Sequence, residues 1–262
     1  MAPTLRFNAS VYPAGTRHLP HSHDELQLSL VLGGRLVERV GNTIEHAGAL
    51  SVVVKDPSIT HADEFGEAGV VMARLAGYER SFAELADPGA DAPVWRWSHD
   101  PSVAAPFLHL VRRAALGEHS FACDDGDVVE LLARLTTRES PRPSGEPPAW
   151  LRRAMEQLRE GGESALSVRE VARSAGVHPV YLARAIRRWY GTSPAEELRR
   201  ARLHRAADGI AHPVATISAV AHRSGFADEP HLCRTFGQTT GLTPGRYRRL
   251  VSRIQGLSRR SA

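Results

Sequence analysis

Three histidines and an amide open the case for chemistry at the N-terminal end. Positions 21, 23, 25 and 27 share one face of an extended chain, and His21, His23 and Gln27 occupy three of them. His61 follows the turn-prone pair Asp56-Pro57. Three imidazoles and an amide oxygen make a donor set suited to a divalent transition metal. The plainer alternative makes Leu26, Leu28 and Leu30 the buried face, with the histidines solvated at a strand start. Trp95 and Trp97 also alternate, so they either line a pocket for a small effector or pack a core. A second set lies downstream, where Val180, Ala183, Arg184 and Arg187, then Glu229, His231 and Arg234, fall on the outward faces of two predicted helices. Arginine reaches phosphate or the O6/N7 edge of guanine, a carboxylate accepts from the cytosine amino group, and valine packs on a thymine methyl. For each of these, a solvated helix face is the competing reading.

The elements that must hold these residues divide the chain. The alternating run Leu-Gln-Leu-Ser-Leu-Val-Leu at 26–32 ends at Gly33-Gly34, and short apolar runs follow at 37–40, 50–54 and 70–75. Strands at this spacing, separated by turn residues, predict a barrel or sandwich. Helical periodicity appears from roughly 102 to 115 and from 127 to 138, the latter with Val128, Leu131, Leu132 and Leu135 on one face. Four prolines within 139–148 mark a linker, and from Trp150 onward every segment reads helical. The expected fold is α+β in two domains. Residues 1–138 form a β jelly roll with helices, 139–149 a linker, 150–252 an all-α domain of two helix-turn-helix units, and 253–262 a basic tail.

The helical part repeats itself. Ser167-Val-Arg-Glu-Val-Ala-Arg-Ser-Ala-Gly-Val177, Tyr181-Leu-Ala-Arg184 and Gly191-Thr-Ser-Pro194 return as Thr216-Ile-Ser-Ala-Val-Ala-His-Arg-Ser-Gly-Phe226, His231-Leu-Cys-Arg234 and Gly241-Leu-Thr-Pro244. Each copy is one supersecondary unit. Ser167 with Glu170, and Ser193 with Glu196, have capping-box spacing. Gly176 and Gly225 suit left-handed stops. His178 and Asp228 stand as caps before Pro179 and Pro230, which fall in first turns where a missing N–H costs nothing.

On these residues the C-terminal stretch resembles the DNA-binding domain of the AraC/XylS family of regulators. The resemblance covers about 150–252 and rests on the run ending Ser-Gly-Phe226, on His-Leu-x-Arg-x-Phe at 231–236 and on Gly241-Leu-Thr-Pro-Gly-Arg-Tyr-Arg248. It implies two recognition helices entering consecutive major grooves, roughly 34 Å apart. Two features depart from the family pattern: His178 replaces a small polar cap, and the first unit ends Ile186-Arg-Arg-Trp189. Upstream, Gly15, His21-Ser-His23, Gln27 and Gly34 resemble the first cupin motif, with Gln27 in place of its acid. A jelly-roll sensor of this kind is what the family resemblance implies for the N-terminal half.

Charge agrees with this division. From Trp150 on there are 20 arginines against 9 acids; before it there are 13 basic and 20 acidic residues. A basic third on an acidic body points to a polyanion as partner. Two cysteines, no apolar run of membrane-spanning length and no secretory pattern in residues 1–10 lead to the expectation of a cytoplasmic protein. The expected function is transcription regulation, not catalysis. The partners are duplex DNA, an effector, a second copy of the chain paired through the 127–138 leucine face, and RNA polymerase. No cofactor is required. The alternative is a cupin-type metal-dependent enzyme or metal sensor joined to the DNA-binding domain, with a divalent transition metal on His21, His23, Gln27 and His61.

Overall fold

The computed structural model describes residues 4–57, 59–77, 94–122, 125–136, 145–160 and 167–258. Eight strands make one antiparallel sheet: β1 (Thr4–Tyr12), β2 (Arg17–His21), β3 (Gln27–Val40), β4 (Thr43–Gly48), β5 (Val52–Lys55), β6 (His61–Ala76), β7 (Trp95–Ser98) and β8 (Ser120–Ala122). Their order is β7-β5-β3-β6-β1-β8, with β2 also on β6 and β4 also on β3. The sheet curls into a half-barrel, in keeping with the expected jelly roll.

β3 does not stop at Gly33-Gly34. It continues to Val40 and pairs with β6 throughout, with register shifts between Val31 and Gly33 and between Gly34 and Leu36. Each shift is a bulge that bends the strand. Gly34 has φ +85°, and a Cβ there would lie 1.9 Å from the Gly69 carbonyl oxygen. No side chain fits, so the pair shapes the curl, and residues 37–40 are the far half of β3, not a separate strand.

Alternation gives the sheet two unlike faces. Leu28, Leu30, Val52, Val54, Ala73 and Leu75 are fully buried on one side. There they pack against α1 (Ala104–Ala115) and α2 (Gly126–Thr136) within one core. Val31, Leu36, Phe65, Val70 and Met72 form a smaller cluster with Tyr12 and Trp97. The leucine face of α2 is consumed in the first core: Val128 and Leu131 are 0 % exposed and Leu135 is 2 % exposed. That face is therefore not the subunit contact expected from the sequence. Each such side chain gains about 1.5–3 kcal/mol by burial, which its own chain already supplies.

Among the described residues seven helices follow: α3 (Ala149–Glu160), α4 (Val168–Ser174), α5 (Pro179–Tyr190), α6 (Pro194–Ala211), α7 (Ile217–Arg223), α8 (Glu229–Thr240) and α9 (Pro244–Ser258). Linker residues 139–144 lie outside the described residues. α9 runs six residues beyond the expected end at 252 and buries Ile254 completely, so most of the predicted basic tail is helix. No helix among the described residues is long and apolar enough to cross a membrane.

Candidate nucleic-acid interface and barrel site

The caps read from sequence are in place. Ser167 and Ser193 each accept from the backbone N–H three residues on, while Glu170 and Glu196 accept from the cap N–H in return. That engagement with serine holds both carboxyls below the usual range. His178 Nδ1 accepts from Val180 N at 3.3 Å, and Asp228 accepts from His231 N at 2.6 Å. Gly176 and Gly225 turn with φ +67° and +80°. These stops aim α5 and α8 outward.

On α5, Leu182 and Ile186 are buried while Val180, Tyr181, Arg184, Arg187 and Arg188 are exposed. On α8, Leu232 and Phe236 are buried while Glu229, Arg234 and Gln238 are exposed. Among the described residues no carboxylate pairs with Arg184, Arg187 or Arg234. Their charge is open to an external anion. Ala183 is only half-exposed, and His231 is half-buried with its ring edge-on to Phe226 at 5.4 Å, so both are less open than the arginines. Tyr181, Arg188 and Gln238 were absent from the expected set. They lie one helical turn from residues in it, a signal the 3.6-residue period already contained. On α6 the arginines are divided: Arg199 is exposed, whereas Arg200 binds Asp100 at 2.8 Å and Glu197 at 2.9 Å.

Residues 171–250 match the profile of the helix-turn-helix domain family. This stretch is a helix-turn-helix domain. Among solved structures, the chain is similar to the C-terminal domain of AraT, a response regulator from Geobacillus stearothermophilus. The two share 27% identity over 40% of this chain and 88% of that one, with a TM-score of 0.38. It is also similar to ToxT from Vibrio cholerae, at 11% identity over 94% of this chain and 98% of that one, TM-score 0.37. A third is a transcriptional regulator from Chromobacterium violaceum, at 26% identity over 39% and 92% of the respective chains, TM-score 0.36. No curated protein matches the chain.

The second unit of the helix-turn-helix domain is built onto the barrel. The Tyr247 hydroxyl donates to Leu32 O at 2.7 Å, and Gly34 N donates to Asp208 Oδ1 at 2.7 Å. The His204 ring lies between the carbonyls of Ala49 and His99, 2.8 Å from the latter. A Cβ on Gly33 would stand 3.0 Å from Ala211 Cβ, so the bulge is also where the barrel and α6 approach closely.

On the barrel's other face, His21, His23 and His61 come together. His21 pairs with His61 across β2 and β6, and one ring nitrogen from each of the three lies within 4.8 Å of the others. Burial, then the charges of Arg74 and neighbouring rings, pushes His23 down to about 4. Burial and Lys55 do the same to His61, also to about 4. The solvated-histidine alternative thus fails for His61, which is 2 % exposed. The expected fourth donor, Gln27, is 5 % exposed and its Oε1 has no partner. His23 Nε2, Ser29 Oγ and Arg74 Nε are likewise buried and unpartnered, and Ser29 faces Arg74 across β3 and β6. Buried polar atoms are normally satisfied, and here four of them stand without a protein partner.

Trp95 and Trp97 share a face and are tied to a buried carboxylate. Both indole Nε1–H groups donate to Glu38 Oε2, at 2.5 and 2.7 Å, while Lys55 Nζ donates to Glu38 Oε1 at 2.5 Å. Burial alone would raise the Glu38 carboxyl. The Lys55 ammonium and the indole donors outweigh it and hold the group below its usual range.

Proposed function

We propose that the chain is a sequence-specific regulator of transcription that inserts α5 and α8 into consecutive major grooves of duplex DNA. Its barrel takes up a small polar effector on the face bearing Gln27, Ser29 and Arg74. The observation that carries this reading is the pair of capped helices, inside a helix-turn-helix domain, whose exposed arginines have no carboxylate partner. Phosphate contacts position such a protein and base-edge contacts give it specificity. Arg184, Arg187 and Arg188 supply the charge in the first unit and Arg234 in the second. Val180 and Tyr181 offer apolar contact, and Glu229 and Gln238 hydrogen bonding. The protein works in the cytoplasm as a homodimer, in reach of RNA polymerase. Because the leucine face of α2 is buried in the barrel's own core, we place the subunit contact on another surface. We propose no catalytic step.

Footprinting of the full chain on promoter DNA tests the reading. Discrete protected sites with two contacts about one helical turn apart are expected, with affinity falling steeply as salt rises. Arg234→Ala is expected to weaken the cognate site by about 1–3 kcal/mol while leaving random DNA less affected. Equal losses on both would reduce Arg234 to a phosphate anchor. Protection without discrete sites would overturn the regulator assignment.

A further inference from the structure

We infer that the junction between the barrel and α6 holds a binding site for a tetrahedral oxyanion, a phosphate or phosphate ester, gripped by Arg35, Arg202 and Arg205. The site uses none of the residues assigned above to DNA or to the barrel effector. Three features converge on it. The first is position. α6 lies on β3 at the double bulge, where Gly34 N donates to Asp208 Oδ1 at 2.7 Å and a Cβ on Gly33 would meet Ala211 Cβ at 3.0 Å. Arg35 is the next residue of β3, opposite Gly48 on β4. Arg205 stands one turn before Asp208 on α6, and Arg202 one turn before that, so they share a stripe with the residue that docks on the bulge. The Arg202 side chain runs past the turn after α7, where a Cβ on Gly225 would lie 3.3 Å from Arg202 Nε.

The second is charge without a counter-charge. Other arginines around α6 are engaged: Arg200 binds Asp100 and Glu197, and Arg248 donates to Ile210 O at 3.0 Å and Ala215 O at 2.5 Å. Among the described residues no carboxylate forms an ion pair with Arg35, Arg202 or Arg205. Asp208, the acid one turn on, accepts from Gly34 N instead. Burial, then the charges of Arg202 and Arg35, pushes the Arg205 guanidinium down from its usual range. A like charge nearby disfavours the charged form, so the fold carries a cost here that a bound anion removes.

The third is unfinished hydrogen bonding at Arg205. Its Nη1 donates to Glu160 O at 3.3 Å and its Nη2 to Ser224 O at 3.5 Å, at the C-terminal ends of α3 and α7. Charge-assisted bonds run at about 2.7–2.9 Å, so both contacts are slack. Arg205 Nε is buried with no partner at all, and leaving such a donor unpaired costs free energy. The guanidinium fork matches phosphate oxygens in pairs. A phosphate would take the Nε and Nη donors of Arg205, with Arg202 reaching it from the preceding turn and Arg35 from the barrel. Guanidiniums arriving from a strand and a helix suit four tetrahedral oxygens better than the two coplanar oxygens of a carboxylate. Bound there, the anion would fasten β3 to the helix that carries both helix-turn-helix units.

Inorganic phosphate is the probe, and no DNA is present, so the result stands apart from the DNA-binding reading. Full-length protein in chloride buffer is titrated with phosphate at constant ionic strength. Concentrations stay in the low millimolar range, where general stabilisation by excluded salts is small. A saturable rise in melting temperature is expected, together with broadening of the phosphate phosphorus-NMR line. Acetate at the same concentrations should produce a smaller rise. Double substitution Arg35→Gln with Arg202→Gln should weaken phosphate binding at least tenfold. Arg205→Lys, which keeps the charge and loses the fork, should weaken it as well. Arg199→Gln, at an exposed position on α6, should change nothing. Circular dichroism reports whether each variant keeps its fold. Wild-type protein that ignores phosphate, acetate that binds as well as phosphate, or a folded double variant with undiminished phosphate affinity overturns the site.

Discussion

In the first helix-turn-helix unit, Leu182 and Ile186 pack with Leu151, Met155, Leu158, Val171 and Leu198 in a core of their own. In the second, Leu232 and Phe236 join Tyr247, Val251 and Ile254 in a core continuous with the barrel's Leu28, Leu30 and Leu32. The caps, the glycine turns and the outward arginines are repeated, but the supports are not. α6 spans both, with Leu198 in the small core and Leu203, Ala206 and Ile210 in the large one. Among the described residues, rearrangement of the barrel reaches α8 through the shared core and has α6 as its link to the core that holds α5. The two units keep the same caps and outward arginines and differ in the core each one leans on.

The comparison is broken most forcefully at Tyr247. Its side chain is fully buried and its hydroxyl is bound to Leu32 O. Tyr247→Ala should cost about 3–5 kcal/mol. It should lower hydrogen-exchange protection in β3 and in α7–α9 together. Ile186→Ala should cost about 2–5 kcal/mol but open only α3–α5, with barrel protection retained. If Ile186→Ala also loosened β3, the two cores would be one cooperative body and the contrast would be lost.

Acid should act through the barrel, on the face away from the large core. His23 and His61 stand near 4 in the folded chain against an ordinary 6.5. Between those values the unfolded chain binds more protons, so stability is full above about 6.5 and falls as pH drops towards about 4. Thermal melts across that window should show the loss, and His23→Gln should flatten it. An unchanged slope would mean that other groups carry the acid sensitivity. Exchange protection in α4 and α5 should respond less than that in β6.

Part of this was legible in the sequence, because the chemistry is local. A cap and its box partner are three residues apart, and Ser167 with Glu170 or Thr216 with its helix declare themselves. Alternation along one strand, by contrast, does not hold for His21, His23 and Gln27: they stand at the end of β2, in the connecting turn and at the start of β3, and it is the β2–β6 pairing that brings His21 to His61. What the sequence hid is set by distant partners. Gly33-Gly34 reads as a stop because glycine pairs make turns, yet the bulge exists to admit Gly69 O and Ala211. The α2 leucines show that something covers them, not that it is their own barrel. Nothing near Trp95 and Trp97 in sequence announces Glu38, on another strand, as the acceptor for both indoles. A linker reading at 139–149 likewise does not reveal that Tyr247, far along the chain, packs against β3.

The finest test compares matched caps. Ser167 Oγ accepts from Glu170 N at 3.3 Å and Thr216 Oγ1 from Ala219 N at 3.1 Å. Either one changed to alanine removes about 1 kcal/mol of helix stability. The consequences should differ in reach. α4 belongs to a small core, so Ser167→Ala should appear as faster exchange confined to 168–174 and its neighbours. α7 is held through Val220 and Ala221 against the common core. There Thr216→Ala should spread its cost over global unfolding, and local exchange at 217–223 should accelerate less. Equal local acceleration in both helices would show that barrel support does not extend to α7, and that the inequality begins only at α8 and α9.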